Sequence, residues 1–263
     1  MEDSVFTCPV CRSRLRAQGN TLRCPAGHTF DKARQGYVNL LMAQGHGKRH
    51  GDDRLMVQAR QQFLDKGYYA PLRQALCDLL GSGRRVLDAG CGEGYYTASM
   101  AEGNQVCGID ISKDALKYAA RRCPQAAFAV ASIAAIPLAS RSVDTVVSIF
   151  APDSPSEFSR VLAPGGRLIR AVPMEDHLME LKAAVYDKPY RNPPPDTARA
   201  GFFLRNSRRV SYCITLNEPE DIRALFKMTP YYYKTSRTDQ QKLEALTTLT
   251  VGLDFLVTEH IIL

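Results

Sequence analysis

Short apolar runs alternate with stretches of helical periodicity between residues 84 and 172, which predicts a parallel sheet with helical crossovers. The series begins with a buried strand at Val86 and Leu87 that stops at Asp88. Further strands are predicted at 106–110, 128–131, 143–149 and 168–172. A helix is predicted from Lys113 to Arg122, with Ser112 as its N-cap. We therefore expect an α/β, doubly wound domain.

The flanking segments extend this pattern at both ends. Residues 55–80 have helical periodicity, and Gly67 with Pro71 divides them into two helices. After the sheet, 174–184 is predicted to be helical, and the proline-rich segment 186–197 is predicted to be a loop. Strands at 212–216 and 253–263 would close the sheet as an antiparallel pair. The total is then seven strands.

Glycines mark the turn that follows the first strand. Gly90, Gly92 and Gly94 permit a ligand to approach the main chain closely, because no Cβ blocks it. A dinucleotide fingerprint needs its third glycine where Tyr95 stands, so NAD is disfavoured. A glycine turn of this kind also occurs in doubly wound domains of other functions. The turn is therefore a candidate cofactor-binding site, and other residues are needed to identify the cofactor.

Two acidic residues narrow the choice of cofactor. Asp88 precedes the first glycine by two positions, and Asp110 follows Asp88 by 22 positions at the tip of the next strand. This offset is close to the ~20 residues expected for a ribose-binding acid. The set resembles the first motifs of class I S-adenosylmethionine (SAM)-dependent methyltransferases, which have a Rossmann-like sheet. The resemblance implies SAM as the methyl donor.

A second group of residues has metal-ligand spacing. Cys8 and Cys11 form a Cys-x-x-Cys turn, and Cys24 and His28 lie together on a second turn. Three thiolates and an imidazole are the ligands of a closed, tetrahedral structural zinc site, whereas a catalytic zinc needs an open position. A unit this short needs metal to fold. We expect a small zinc ribbon or knuckle that binds one Zn²⁺; scattered core cysteines are the alternative.

Charge and composition then suggest a partner and a location. The net charge of +7 and the pI near 9.0 are compatible with a polyanion such as RNA. The eight cysteines fit thiolate ligands better than disulfides, because the N-terminus has no export signal. No apolar run approaches the ~18 residues of a membrane span. We predict a cytoplasmic protein without a membrane partner.

The same features divide the chain into three parts. A zinc-binding, RNA-recognition domain is predicted at 1–42, a basic flexible linker at 43–54, and the SAM-dependent methyltransferase domain at 55–263. The linker has almost no apolar content between Gly45 and Asp53.

Longer stretches resemble the RlmA group of bacterial 23S rRNA guanine-N1 methyltransferases, over nearly the whole chain. They are the four zinc-ligand positions, Phe30-Asp31, Gly36 to Leu41, Gly90 to Tyr96, Ala151-Pro152, His177 to Lys182 and Met228 to Pro230. The resemblance implies methylation of guanine N1 in a domain II hairpin of 23S rRNA. The group includes homodimers and a subset that gives macrolide resistance. Tyr231 to Tyr233 depart from the pattern, because relatives often have a tryptophan there.

The resemblance also implies roles for individual residues. Tyr69, Gly92, Glu93 and His177 match positions that line the cofactor site. With the residues of the glycine turn and its two acids, and with Ser132 at the place where many methyltransferases hold the adenine amine, the cofactor set is Tyr69, Asp88, Gly90, Gly92, Glu93, Gly94, Tyr95, Asp110, Ser132 and His177.

The methyl acceptor is expected at the end of the fourth strand of the sheet. Phe150 there could stack on an extruded base, and Asp153 is the acid of that loop and the candidate proton acceptor for guanine N1. A turn or capping role for Asp153 is an open alternative. Two other functions also remain open, methylation of a small aromatic molecule and a non-catalytic zinc-ribbon protein that binds RNA.

Overall fold

The computed structural model describes residues 3–42 and 51–263, and it contains two sheets. The N-terminal sheet has four antiparallel strands in the order β1-β2-β3-β4. Its strands are β1 (Asp3–Thr7), β2 (Arg14–Gln18), β3 (Thr21–Arg23) and β4 (Thr29–Asp31). Leu15 and Leu22 are buried on β2 and β3, as the alternation of apolar and polar residues predicts. Few other apolar side chains are available to this small sheet.

The second sheet has eight strands rather than the predicted seven. The added strand is β5 (Val38–Asn39), which lies within the motif Gly36 to Leu41 and pairs in parallel with the strand at Ala127–Val130. Two residues are too few for a periodic pattern, so this strand could not be predicted from the sequence. β5 joins the end of the N-terminal region to the eight-stranded sheet.

Two helices lead into the sheet, α1 (Arg54–Asp65) and α2 (Ala70–Leu80). Asp53 caps α1 by accepting a hydrogen bond from the Met56 N–H. The predicted linker therefore ends in ordered structure, and Asp52 with Asp53 is held rather than flexible. The remaining linker residues 43–50, including Gly45, lie outside the described part of the chain.

The central elements follow the predicted alternation closely. They are β6 (Arg85–Ala89), α3 (Tyr95–Met100), β7 (Gln105–Asp110), α4 (Lys113–Arg122), β8 (Ala127–Val130), β9 (Val143–Ile149), α5 (Pro155–Val161) and β10 (Leu162–Pro173). Ser112 caps α4 as expected, since its Oγ accepts a hydrogen bond from the Ala115 N–H.

The C-terminal elements differ more from the prediction. They are α6 (Met179–Val185), β11 (Phe202–Leu216), α7 (Pro219–Lys227), α8 (Arg237–Gln241) and β12 (Leu249–Ile262). Helix α6 begins five residues later than predicted, because Leu178 has left-handed backbone with φ of 60°. β11 begins ten residues earlier than predicted, because its first half is exposed and lacks a buried apolar face.

The strand order is β11-β12-β10-β9-β6-β7-β8-β5, and β12 is antiparallel to both neighbours. The strand order reverses between β6 and β9, and ligands bind at such a point beyond the carboxyl ends of the strands. Apolar clusters cover both faces of the sheet. Within the described residues, no helix is both long enough and apolar enough to cross a bilayer.

Candidate functional site

The glycine turn lies at the switch point, between β6 and α3. Gly90 has φ of 84°, and a Cβ built on it would lie 2.5 Å from the Cβ of Ala151. Gly94 has φ of 83°, and its Cβ would lie 2.9 Å from the Cα of Ala119. Both positions therefore exclude any side chain. The loop after β9 packs directly on the turn, so a donor and an acceptor would meet here.

The two predicted acids take different positions around this turn. Asp110 accepts the Gly92 N–H at 2.9 Å and the Ser112 N–H at 2.7 Å, so it lies at the tip of β7 beside the turn. Asp88 is buried below the turn and accepts the Thr97 hydroxyl at 2.6 Å. Burial, with smaller contributions from neighbouring carboxylates, raises the pKa of Asp88 to about 7. Asp88 supports the turn from below, whereas Asp110 borders the cleft.

Glu93 and Tyr95 are also largely buried at this turn. Burial raises the pKa of Glu93, although the nearby guanidinium of Arg60 opposes that shift. Ser132 does not lie free at the end of β8, because its Oγ accepts the Ala134 N–H at 3.2 Å and caps a short 3₁₀ turn.

Aromatic side chains form a cluster beside the glycine turn. Phe255 of β12 is at its centre, with ring centroids 5.2 Å from Tyr69, 5.5 Å from Phe150 and 4.6 Å from His177. The structure thus brings together three predicted site residues from distant parts of the sequence. Phe255 is missed by sequence reasoning because an apolar residue in a strand gives no functional signal.

His177 is held in one tautomer. Its Nδ1 accepts the Asp254 N–H at 3.1 Å, so the proton of the neutral ring is on Nε2. Burial, assisted by the positive charge of Lys182, lowers the pKa of His177 to about 3. The ring is therefore a neutral hydrogen-bond donor at physiological pH.

Phe150 has the features of a substrate contact. Its backbone is left-handed with φ of 54°, and its side chain is 44% exposed although it is a large aromatic. Non-glycine residues with such a backbone are strained and cluster at functional sites. Asp153, three residues later, forms ion pairs with Arg170 and Arg199. It therefore joins the loop after β9 to β10 and to the loop that precedes β11.

That second loop, the predicted proline-rich segment, is fixed by a buried lysine. Lys182 of α6 donates to the carbonyl of Tyr190 at 3.0 Å and to Oδ1 of Asn192 at 2.8 Å. Burial lowers the pKa of Lys182. From sequence, Lys182 was named only as the last residue of the stretch His177 to Lys182, and Arg199 was not singled out, since an arginine in an irregular region is most often a solvated surface residue.

The predicted metal ligands converge at the N-terminal sheet. One donor atom from each of Cys8, Cys11, Cys24 and His28 lies within 4.8 Å of all the others. The Cys11 and Cys24 sulfurs are 3.6 Å apart, and the Cys24 sulfur is 3.2 Å from His28 Nδ1. Zinc with Zn–S distances of about 2.3 Å places tetrahedral ligands roughly 3.8 Å apart. The four side chains fit a closed zinc site.

The ribbon, residues 3–31 with this site, is joined to the catalytic sheet by backbone hydrogen bonds. The Thr7 N–H donates to the Pro137 carbonyl at 2.8 Å, and Phe6 forms an isolated bridge with Leu138. The guanidinium of Arg12 donates to the Ile136 carbonyl at 3.4 Å. The metal site is thus attached on the side of the sheet that carries β8.

Comparison with known proteins agrees with both regions. A family model described as "RlmA, N-terminal" matches residues 6–49, and one described as "Methyltransferase domain" matches residues 86–166.

Relatives of known name match more of the chain. A Streptomyces fradiae protein named 23S rRNA (guanine(748)-N(1))-methyltransferase is 41% identical over 68% of this chain and 66% of its own length. YxjB of Bacillus subtilis (strain 168), whose name gives guanine-N1 methylation of 23S rRNA provisionally, is 34% identical over 97% of this chain and 96% of its own length.

Solved structures show the fold at lower identity. The YcgJ protein of Bacillus subtilis has a TM-score of 0.50 at 12% identity, and covers 74% of this chain and 98% of its own. A chain from the complex of the Haloferax volcanii Trm112 methyltransferase activator has a TM-score of 0.50 at 18% identity, and covers 81% of this chain and 99% of its own. The expected Rossmann-like methyltransferase fold is thereby confirmed.

Proposed function

This chain belongs to the 23S rRNA (guanine-N1)-methyltransferase family, and from that premise we propose that it methylates N1 of a guanine in 23S rRNA. The observation that carries the proposal is the contact between Gly90 and Ala151, which packs the loop after β9 on the glycine turn. A donor on the turn and a base on the loop would then be adjacent. SAM supplies a methyl group that its sulfonium has already activated.

The residues around the turn are proposed to bind the donor. Asp110 borders the cleft at the tip of β7 and would accept the ribose hydroxyls, and the neutral His177 would donate from Nε2. Asp88, Glu93, Gly94 and Tyr95 would shape the floor of the cleft from buried positions. The remaining members of the proposed donor site are Tyr69, Gly90, Gly92 and Ser132.

Phe150 is proposed to stack on the target guanine after the base leaves its helix. Stacking on an aromatic residue contributes about 1–3 kcal/mol per base. Positioning dominates the rate acceleration because the donor needs no further activation. The guanine must also lose its N1 proton, and Asp153 stays the candidate acceptor, in competition with a purely anchoring role through Arg170 and Arg199.

The zinc ribbon is proposed to present the RNA. It has exposed cationic side chains on one small unit, at Arg14, Arg16 and Arg23, and phosphates attract such groups. The proposed target is a hairpin in domain II, and the Streptomyces fradiae relative is named for guanine 748. Methylation there would take place in the cytoplasm. A subset of the family gives macrolide resistance, and we would test this chain for that phenotype first.

A homodimer is proposed to form through the edge strand β11. Phe203 is 62% exposed and Leu204 is 36% exposed near the start of this strand. An exposed, partly apolar edge strand favours pairing with another chain. Sedimentation at several concentrations would test the dimer, and Phe203→Lys would be expected to give monomers.

The proposed activity is tested with 23S rRNA from a strain that lacks the modification and with tritiated donor. N1 methylation blocks the Watson-Crick edge, so primer extension should stop at the labelled guanine. A stop outside domain II would contradict the proposed hairpin, and label at another base atom would contradict the proposed reaction. Methylation of small aromatic compounds without RNA, or RNA binding without transfer, would favour the two alternative functions.

The pH-rate profile of Asp153→Asn in single turnovers tests the proton acceptor: an unchanged profile would exclude Asp153 from that role.

A further inference from the structure

Arg60 lies at the cleft although α1 is otherwise a packing helix. Its neighbours on the buried face of α1 are apolar, and they include Met56 and Phe63. A Cβ built at Gly92 would lie 3.7 Å from Arg60 Nη1, so the guanidinium is in van der Waals reach of that glycine. The guanidinium therefore covers the second glycine of the turn.

The surroundings of Arg60 are strongly acidic. Although burial opposes its charged form, Asp52, Glu93 and Asp110 raise the pKa of Arg60. Its strongest contact is an ion pair from Nη1 to Asp52, and Nη2 donates a long hydrogen bond of 3.4 Å to the Met228 carbonyl. One carboxylate thus pairs with the guanidinium, and the charges of two more favour its protonated form. An anionic group of a ligand would be repelled from this part of the cleft unless it formed an ion pair with Arg60.

The Asp52 ion pair is open to exchange. The Asp52 side chain is 31% exposed and the Arg60 side chain is 25% exposed. Both side chains of the pair reach solvent in part, so a competing carboxylate can approach the guanidinium. The Asp52 backbone is held separately, because its carbonyl accepts the Ser112 hydroxyl at 2.6 Å. The carboxylate of Asp52 can therefore leave Arg60 while its backbone stays in place.

We propose that Arg60 binds the α-carboxylate of SAM, in exchange for Asp52. This inference rests on the proposed function, because it requires SAM as the methyl donor. Arg60 and Asp110, which would bind the ribose, both lie at Gly92: Arg60 Nη1 is 3.7 Å from a Cβ built there, and Asp110 accepts the Gly92 N–H at 2.9 Å. A guanidinium binds a carboxylate through two parallel hydrogen bonds, which fixes its orientation as well as its position. Arg60 would then set where the methyl group stands relative to Phe150.

The test compares two ligands that differ only in the carboxylate. Calorimetry measures the binding of S-adenosylhomocysteine and of S-adenosyl-3-thiopropylamine, its decarboxylated analogue, to the full chain. Arg60→Gln should weaken S-adenosylhomocysteine by roughly 10- to 150-fold, the effect of losing a hydrogen bond to a charged group. It should change the affinity of the amine less than threefold. Arg60→Lys, which keeps the charge and loses the paired donors, should fall between.

Two further variants serve as controls. Arg54→Gln removes an exposed arginine at the start of the same helix and should leave both affinities unchanged. Asp52→Asn removes the competing carboxylate and should raise the affinity for S-adenosylhomocysteine severalfold. Thermal unfolding of each variant confirms that it is folded before binding is compared.

The outcomes separate this inference from the proposed function. If the unmodified chain binds neither ligand, the proposed function fails and this inference fails with it. If the unmodified chain binds both, and Arg60→Gln weakens them equally or not at all, only the role of Arg60 is overturned.

Discussion

The zinc ribbon buries few apolar side chains, chiefly Phe6, Leu15 and Leu22, and these pack into a cluster shared with one face of the eight-stranded sheet, whereas the other face has a separate cluster of its own. The ribbon ligands lie within 21 residues of sequence, but the cleft is assembled from residues 60 to 255. The ribbon thus depends on a ligand to stay folded, while the sheet can hold its site in place before any ligand arrives. The first region is stabilised by its metal and the second by its core.

Loss of one zinc ligand should give the largest difference in effect between the two regions. Cys24→Ala removes a buried ligand, and structural zinc contributes roughly 10–16 kcal/mol in small fingers. We expect loss of zinc, rapid hydrogen exchange across β1–β4, and at least 100-fold slower rRNA methylation. Binding of S-adenosylhomocysteine should stay within threefold, because the sheet has its own core.

Cys213→Ala is the matched control, since Cys213 is an exposed thiol far along the sequence on β11. Zinc content and methylation should not change in it. Protection of β1–β4 without zinc, or loss of donor binding in Cys24→Ala, would contradict the independence of the two regions.

A Cβ on the glycine turn should affect the second region instead. In Gly90→Ala the added Cβ meets Ala151 at 2.5 Å, and the backbone has φ of 84°. Strain and overpacking each cost about 1–3 kcal/mol. We expect a lower melting temperature and strongly reduced donor binding, with normal zinc content.

Gly165→Ala separates strain from collision. Gly165 has φ of 72°, but nothing lies within 4 Å of its added Cβ. It should show the backbone cost alone, near 1 kcal/mol, with donor binding retained. Equal loss of donor binding in both variants would mean that the contact with Ala151 is unimportant.

The same contrast explains what could be predicted from sequence. The zinc ligands and the two acids are spaced along local turns, so residue type and separation identify them. Arg60 and Phe255 reach the cleft only through tertiary packing, although an arginine on the apolar face of a predicted helix is a usable signal. β5 and the first half of β11 have no apolar alternation, because one is too short and the other lies exposed at an edge. Residues spaced along local turns could thus be predicted from sequence, whereas contacts between distant segments could not.

Phe150 tests whether the preformed cleft also has a role in substrate binding. Phe150→Ala removes a ring that is 44% exposed and otherwise packs on Phe255, so the melting temperature should fall only slightly. Single-turnover methylation of rRNA should slow roughly 5- to 150-fold, the equivalent of about 1–3 kcal/mol of lost stacking. Phe150→Tyr should restore most of the rate.

Phe203→Ala removes another exposed phenylalanine and should leave the single-turnover rate unchanged. If Phe150→Ala methylates at the normal rate, the ring does not stack on the base. The left-handed backbone at Phe150 would then need another explanation.

The effect confined to acid pH concerns His177, whose burial lowers its pKa to about 3 from the 6.5 of an unfolded chain. Between these values the unfolded chain binds the extra proton, so this group makes stability rise with pH by up to about 1.4 kcal/mol per pH unit. Above pH 6.5 it contributes a constant stabilisation. His177→Asn should remove this acid-side slope and leave the pH dependence above 7 unchanged. Nitrogen NMR should find the proton on Nε2 from pH 5 to 8. A His177 titration near 6.5 would show that water reaches the cleft more freely than its aromatic surroundings allow.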